Sequence, residues 1–281
     1  MKSNKLYEIL NKKFILLELS DDWYQYMTVL EDYICDSFKQ TNMGVMCDFT
    51  NEIKEVYTAT FPSKRAINKL LNSGVKDAMF FVHHASDWDS RNRYPLSHIS
   101  LDDIRSLKEN RISIYCIHVP LDNFSEYSTG NSFAKNLSLK VEDKFGNYRG
   151  SKCGVLCRAE YKEIDDLIDQ ISKVVNHKVK LYAYGSKNIK DSRVAIITGG
   201  GNDIQMLNEV NQQNINVYVT GVTNLEMTKQ AHDFAKEKKI NIIGATHYST
   251  EKFACIEMIK FFEQYGIESR FLDDIAVLED L

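Results

Sequence analysis

The stretch DAMFFVHHASDWD, residues 77–89, decides how this chain is read. Ala78 to Val82 is a short unbroken apolar run between polar flanks, the pattern of a strand buried on both faces. It ends in two adjacent histidines, His83 and His84. Neighbours in a regular strand face opposite sides, so a shared role requires the chain to leave extended geometry there, or to serve two separate targets. Outward from this run the chain alternates. SKRAINKLLNSGV before it reads as a helix stopped by Gly74, LDDIRSLKENR after it as another, and ISIYCIHV as a second buried strand closed by Pro120. NKLYEILNKKF opens the chain as a helix. Beyond residue 160, YKEIDDLIDQISKVV is an amphipathic helix, followed by strand VAIIT, helix DIQMLNEVNQ, strand NVYVTG, helix TKQAHDFAKEKK and strand INIIGATH. A last helix is expected to begin near Ser249 and run through KFACIEMIKFFEQYG. Alternation of this kind predicts an α/β protein with largely parallel sheets, whose sites gather beyond the carboxyl ends of strands. The polar segment EDKFGNYRGSK, which follows SFAKNLSL, reads as the boundary between two lobes, residues 1–140 and 141–281.

Composition narrows the function classes. With 43% apolar and 26% charged residues, the 281-residue chain can bury a core without disulfides or a structural metal. A net charge of −4 offers no basic field for a polyanion, which argues against nucleic-acid binding. No apolar run reaches the roughly 18 residues of a membrane span. The segment MKSNKLYEILNKKF lacks the apolar core and small-residue cleavage site of a signal peptide. The six cysteines, Cys35, Cys47, Cys116, Cys153, Cys157 and Cys255, are scattered, and CGVLC lacks zinc-knuckle spacing. They read as reduced core residues of a cytoplasmic protein.

Three predicted strands end in groups able to ligate a metal. The first ends in His83 and His84, the second in His118 with Asp122 four residues on, the third in His247 with Glu251 four residues on. If the last helix has begun by then, that spacing sets the His247 imidazole and the Glu251 carboxylate on one face. Four of the seven histidines fall in these three places, whereas His98, His177 and His232 sit in polar or helical surroundings. Each histidine alone is more readily a hydrogen-bonded structural residue, and Glu251 alone also reads as a first-turn acid favoured by the helix dipole.

The segments HHASDW, IHVPLD and GATHYSTE, in that order, resemble the dinuclear-metal family of NGG-one-interacting-factor-three-like proteins, the GTP cyclohydrolase I type 2 homologues. The resemblance covers essentially the whole chain and includes VAIITGGG and VYVTG. It implies two interlocked α/β lobes, a homohexamer in several members, and a metal-dependent hydrolase acting on GTP or a similar small molecule. Carried over position by position, the metal ligands are His83, His84, Asp122, His247 and Glu251, with segment 247–281 returning the last two to a shared site. His118 lies close to the metals in that pattern without a settled role, and is assigned either to the support of the ligands or to the catalytic role of proton acceptor.

Three imidazoles and two carboxylates suit two divalent ions such as zinc, iron or manganese. A carboxylate can bridge two such ions about 3.5–4 Å apart, and a water between them would be the nucleophile. A non-catalytic metal-binding regulatory or protein-interaction factor is the alternative. The chain departs from the family at Ala85, where proline is common, and at Val222, where an acidic residue is common.

Elsewhere, TGGGND with Gly199, Gly200 and Gly201 lacks both the GK[ST] of a Walker loop and the third glycine of GxGxxG, and reads as a tight strand–helix turn capped by Asn202 or Asp203. Trp23, Tyr24 and Tyr26 read as packing residues. Trp88 reads as an anchor of its loop, with a roof over the metal site as the other possibility.

Overall fold

The computed structural model describes all residues, 1–281, as an α/β protein that packs into two units. One comprises Met1–Leu121 with Cys255–Asp274, the other Asp122–Ala254 with Ile275–Leu281. The division thus falls at Leu121/Asp122 rather than at residue 140, because helix Thr129–Asn136 packs on the strands that follow it.

The first unit holds α1 (Ser3–Phe14), α2 (Asp36–Thr41), β1 (Gly44–Cys47), β2 (Glu55–Ala59), α3 (Lys64–Asn72), β3 (Ala78–Val82), β4 (Asp87–Trp88), β5 (Leu96–Ser97), α4 (Leu101–Glu109) and β6 (Ile112–Cys116). A late strand, β13 (Glu268–Phe271), joins its sheet, whose order is β1-β6-β3-β2-β13. β6, β3, β2 and β13 run parallel, and β1 is antiparallel to β6. Every residue of β3 and β6 is buried, as the continuous apolar runs predict for central parallel strands. Helix α3 shows how the sequence sets the element: the Ser63 hydroxyl accepts the Ala66 N–H, Ala66, Ile67 and Leu70 face inward, and Gly74 follows at φ +71°. Phe38, Ile67, Phe80, Leu107 and Ile114 lie in the core of this unit.

Asp87, at the start of β4, gives a pH prediction. Burial pushes its carboxyl pKa up to about 6, the charges of Asp274 and Asp89 adding to the effect and the Trp88 N–H opposing it. A raised acid disfavours the ionised folded state, so its cost is absent below the unfolded pKa near 3.8 and complete above about 6. Asp87→Asn is therefore expected to raise stability by about 1–2 kcal/mol at pH 7.5, after a discount for partial exposure. The gain should fade as pH drops through 6 towards 4. Thermal melts across that range, with chelator present, check the sign; a gain that grows on acidification contradicts it.

The second unit contains α6 (Thr129–Asn136), β7 (Lys140–Tyr148), β8 (Ser151–Arg158), α7 (Ile164–Val175), β9 (Lys180–Tyr182), β10 (Arg193–Ile196), α8 (Ile204–Gln212), β11 (Val217–Thr220), α9 (Lys229–Lys238) and β12 (Asn241–Gly244). Its sheet order is β7-β8-β10-β11-β12-β9, with β10, β11 and β12 parallel and the outer strands antiparallel. In α7 the buried residues Ile164, Leu167, Ile171 and Val175 recur at helical spacing. EDKFGNYRGSK is not a linker but most of the β7–β8 hairpin. Arg149 and Gly150 both take positive φ in a two-residue turn, and the charges lie on the solvent side of an edge strand.

Two boundary expectations also shift. β6 ends at Cys116, and Pro120 lies inside a one-turn helix, α5 (Val119–Asp122), where its missing N–H costs nothing. Helix α10 (His247–Glu263) begins at His247 rather than near Ser249; its residues through Ala254 belong to the second unit and those from Cys255 to the first. No helix is long and apolar enough to cross a membrane.

Candidate metal centre

In the first unit the strand register places the histidines. Val82 pairs with Cys116 at the carboxyl ends of parallel β3 and β6, so His83, His84 and His118 emerge on the same sheet edge. The His83 and His84 rings sit 4.4 Å apart at 76°, so the pair has left strict alternation. His118 lies 5.1 Å from His83 and 4.7 Å from His84, ring centre to ring centre. One nitrogen of each imidazole falls within 4.8 Å of the others, a group able to hold a metal ion.

Hydrogen bonds fix the tautomers. His83 Nδ1 lies 3.1 Å from the Ile117 carbonyl, which can only accept, so Nδ1–H donates and the lone pair resides on Nε2. His118 Nδ1 likewise donates to Asp21 Oδ2 at 3.0 Å. Burial alone would raise the Asp21 pKa, but the hydrogen bond and charge of His118, with backbone N–H groups of Asp22 and Val119, outweigh it and hold it below the usual value. Ligating histidines commonly donate the second N–H to a carbonyl or carboxylate in this way. The rings are also held by packing: Phe61 stacks on His84 at 4.5 Å, and Trp23 stands edge-on to His84 at 5.6 Å and His118 at 5.1 Å. Trp23 is thus the indole beside these histidines, while Trp88 is half-buried in the β4–β5 pair.

The second unit brings Asp122, His247 and Glu251 together. All three are buried. His247 Nε2 and Glu251 Oε2, one helical turn apart on α10, are 3.3 Å from each other. Two donors about 2.1 Å from one tetrahedral ion stand roughly 3.4 Å apart. A carboxylate oxygen of Asp122 lies within 4.8 Å of one of Glu251, and the Thr129 hydroxyl donates to Asp122 Oδ1 at 2.9 Å.

The glycine loop after β10 is packed against this group. A Cβ on Gly199, at φ +62°, would fall 1.9 Å from Glu251 Oε1 and 3.0 Å from His247 Nε2. Only a glycine leaves room for both side chains. The loop is a tight turn in which Asp203, not Asn202, caps α8 by accepting the Met206 N–H, while the Asn202 amide donates to Thr228 Oγ1.

Donor set, tautomers and space therefore fit a divalent metal: imidazoles for borderline ions, carboxylates for charge. The other predicted features resolve simply. His232 is buried with Nε2 2.8 Å from the Thr223 carbonyl, and burial lowers its pKa. His177 Nε2 is 2.8 Å from Ser249 Oγ. All six cysteines are free, and burial pushes the Cys153 and Cys157 thiols up to about 12, far from a reactive thiolate. Val222 is buried and donates its N–H to the Gly199 carbonyl. Sequence reasoning missed Asp21, the place of Trp23 beside the histidines and the contact role of Gly199.

Each of the two α/β units carries, at the carboxyl edge of its parallel strands, a histidine-containing group that could hold a metal ion. The family model for Duf34/NIF3 (NGG1p interacting factor 3) matches residues 26–276, and the chain belongs to that family. Proteins named GTP cyclohydrolase 1 type 2 homolog are similar to it. That of Pyrococcus horikoshii is 28% identical over 230 residues, covering 79% of this chain and 86% of the relative. The Borreliella burgdorferi protein is 30% identical over 194 residues, 68% of this chain and 73% of the relative. Among solved structures, the structural-genomics protein ybgI shares the fold with a TM-score of 0.77 at 18% identity, covering 98% of this chain and 99% of that one. HcgD from Methanocaldococcus jannaschii does so at 0.66 and 20%, covering 98% of each chain.

Proposed function

We propose that the chain holds two divalent metal ions and is a metal-dependent hydrolase of a nucleotide or similar small molecule. The observation that carries this reading is the donor arrangement: buried His83 and half-buried His118 with Nδ1–H tied to Ile117 and Asp21, and a buried His247–Glu251 pair at ligand spacing. His83, His84, Asp122, His247 and Glu251 would hold the metals, of zinc, iron or manganese type. A bound pair supplies Lewis-acid activation and charge neutralisation. The relatives' shared name points to GTP, with opening of the purine ring, as the first substrate to test.

The protein's own residues have definite tasks in this scheme. His118 takes a proton at Nε2, because Asp21 keeps the other nitrogen protonated and the ring fixed. Thr129 orients the Asp122 carboxylate. Phe61 and Trp23 exclude water from the imidazole faces. Asp21→Asn presents an amide that can also donate to Nδ1 and so favours the wrong tautomer; turnover is expected to fall by about 10²-fold with metal content retained. Unchanged turnover in that variant removes His118 from the proton-accepting role.

A second reading, a metal-holding regulatory factor without turnover, is favoured by the buried apolar Val222 beside Gly199, at a position where the family commonly has an acid. Metal-reconstituted protein assayed against a nucleotide and phosphoester panel separates the two. Product formation that disappears in a folded His84→Ala variant supports the hydrolase, and stoichiometric metal with no turnover across the panel supports the regulator. The proposal extends to cytoplasmic self-assembly as a homohexamer, for which sedimentation velocity gives the mass directly.

A further inference from the structure

The last residues of the chain contribute a buried carboxylate that touches the ligand-bearing helix. Asp280, in the short 3₁₀ turn Leu278–Asp280, has no solvent exposure. Its Oδ2 accepts the backbone N–H of His247, the first residue of α10, at 2.9 Å. Its own carbonyl accepts the N–H of both Thr223, at 2.6 Å, and Asn224, at 2.8 Å, and Asn224 Nδ2 donates to the Glu279 carbonyl.

These bonds close a circuit. Asp280 joins the loop after β11 to the start of α10. Within α10, Thr250 Oγ1 accepts the Gly199 N–H, and the Gly199 carbonyl accepts the N–H groups of Gly221 and Val222, back in the loop after β11. The circuit thus surrounds the His247–Glu251 pair on its backbone side. The entry into α10 needs such support. Thr246, a β-branched residue, sits at φ +65°, a conformation that costs on the order of 1 kcal/mol and persists only where neighbours enforce it. A carboxylate at a helix N-terminus satisfies an otherwise open N–H and is favoured by the helix dipole.

We infer that Asp280 is a positioning residue for metal binding: by holding the His247 N–H it fixes the first turn of α10 and so aims His247 Nε2 and Glu251 at their ion. The inference rests on the metal-centre reading above. It assigns a site-building task to the C-terminal turn, whose Asp280 carboxylate reaches the backbone N–H of His247.

The test is Co2+ binding to the full chain, by titration and by the visible absorption of the bound ion. Asp280→Ala is expected to bind Co2+ about tenfold more weakly, with altered bands, as for loss of a group that orients a ligand. Asp280→Asn keeps an oxygen acceptor for the His247 N–H and is expected to restore affinity and spectrum. A folded Asp280→Ala with native affinity and native bands overturns the inference, as does failure of Asp280→Asn to restore them. If Asp280→Ala does not fold, Asn224→Ala, which loosens the turn but leaves the carboxylate, replaces it; weaker Co2+ binding is expected and native binding overturns the inference. A native chain that takes up no Co2+ removes the metal reading itself, an outcome distinct from native uptake that Asp280→Ala leaves unchanged.

Discussion

Glu251→Ala is expected to abolish measurable metal binding while leaving the metal-free fold intact. Groups one bond further from a metal already change affinity by about 10–100-fold, so loss of a ligand should exceed about a hundredfold. Glu251 is also the residue whose oxygens approach both His247 Nε2 and Asp122, so its removal disperses the carboxylate side of the site. The consequence can be read without an assay of turnover. A ligand at a hundred times its Kd stabilises a folded protein by about 2.7 kcal/mol, which raises the melting temperature of a chain of this size by about 5 °C. The native chain should show that rise on addition of the cognate ion, and Glu251→Ala and His84→Ala should show none. A full shift in the Glu251→Ala variant excludes the carboxylate as a ligand.

The second large effect is expected at Gly199. Its φ of +62° disfavours any other residue by about 1–2 kcal/mol, and the added Cβ overlaps Glu251 Oε1. The glutamate end is flexible and can swing away, so Gly199→Ala should fold. What it loses is the His247–Glu251 arrangement, and metal affinity should fall more than about tenfold. Gly200 supplies the control one residue along. A Cβ there meets nothing within 4 Å, and Gly200→Ala is expected to stay within about 0.5 kcal/mol of native with full metal uptake. Equal behaviour of the two variants, by differential scanning fluorimetry with and without metal, contradicts the close-packed role of Gly199.

The elements that carry the chemistry were the most legible in the sequence, for physical reasons. Central parallel strands are buried on both faces, so β3, β6, β11 and β12 appear as apolar runs, and ligands at their ends stand out against them. The i,i+4 relation of His247 and Glu251 is a local property and survives in sequence alone. Peripheral strands were not legible. β7 is an edge strand whose exposed face carries Glu142 and Lys144, and it reads as polar linker until its hairpin partner is known. β13, half-exposed at the other sheet's edge, lies beyond the end of the last helix, and its four residues carry no apolar run that marks a strand. Residues that support the site from far along the chain were invisible for a related reason. Asp21 and His118 are separated by 97 positions and Asp280 and His247 by 33, and no periodicity links them. Gly199 announced a tight turn, but a missing Cβ does not say which side chains will occupy its space.

On the proposed reading, the chain holds two divalent ions. Elemental analysis of protein purified without chelators tests it most directly. Two equivalents of a transition metal per chain, falling in the Glu251→Ala and His84→Ala variants, are predicted. A native protein that carries none, and takes up none on reconstitution, contradicts the account.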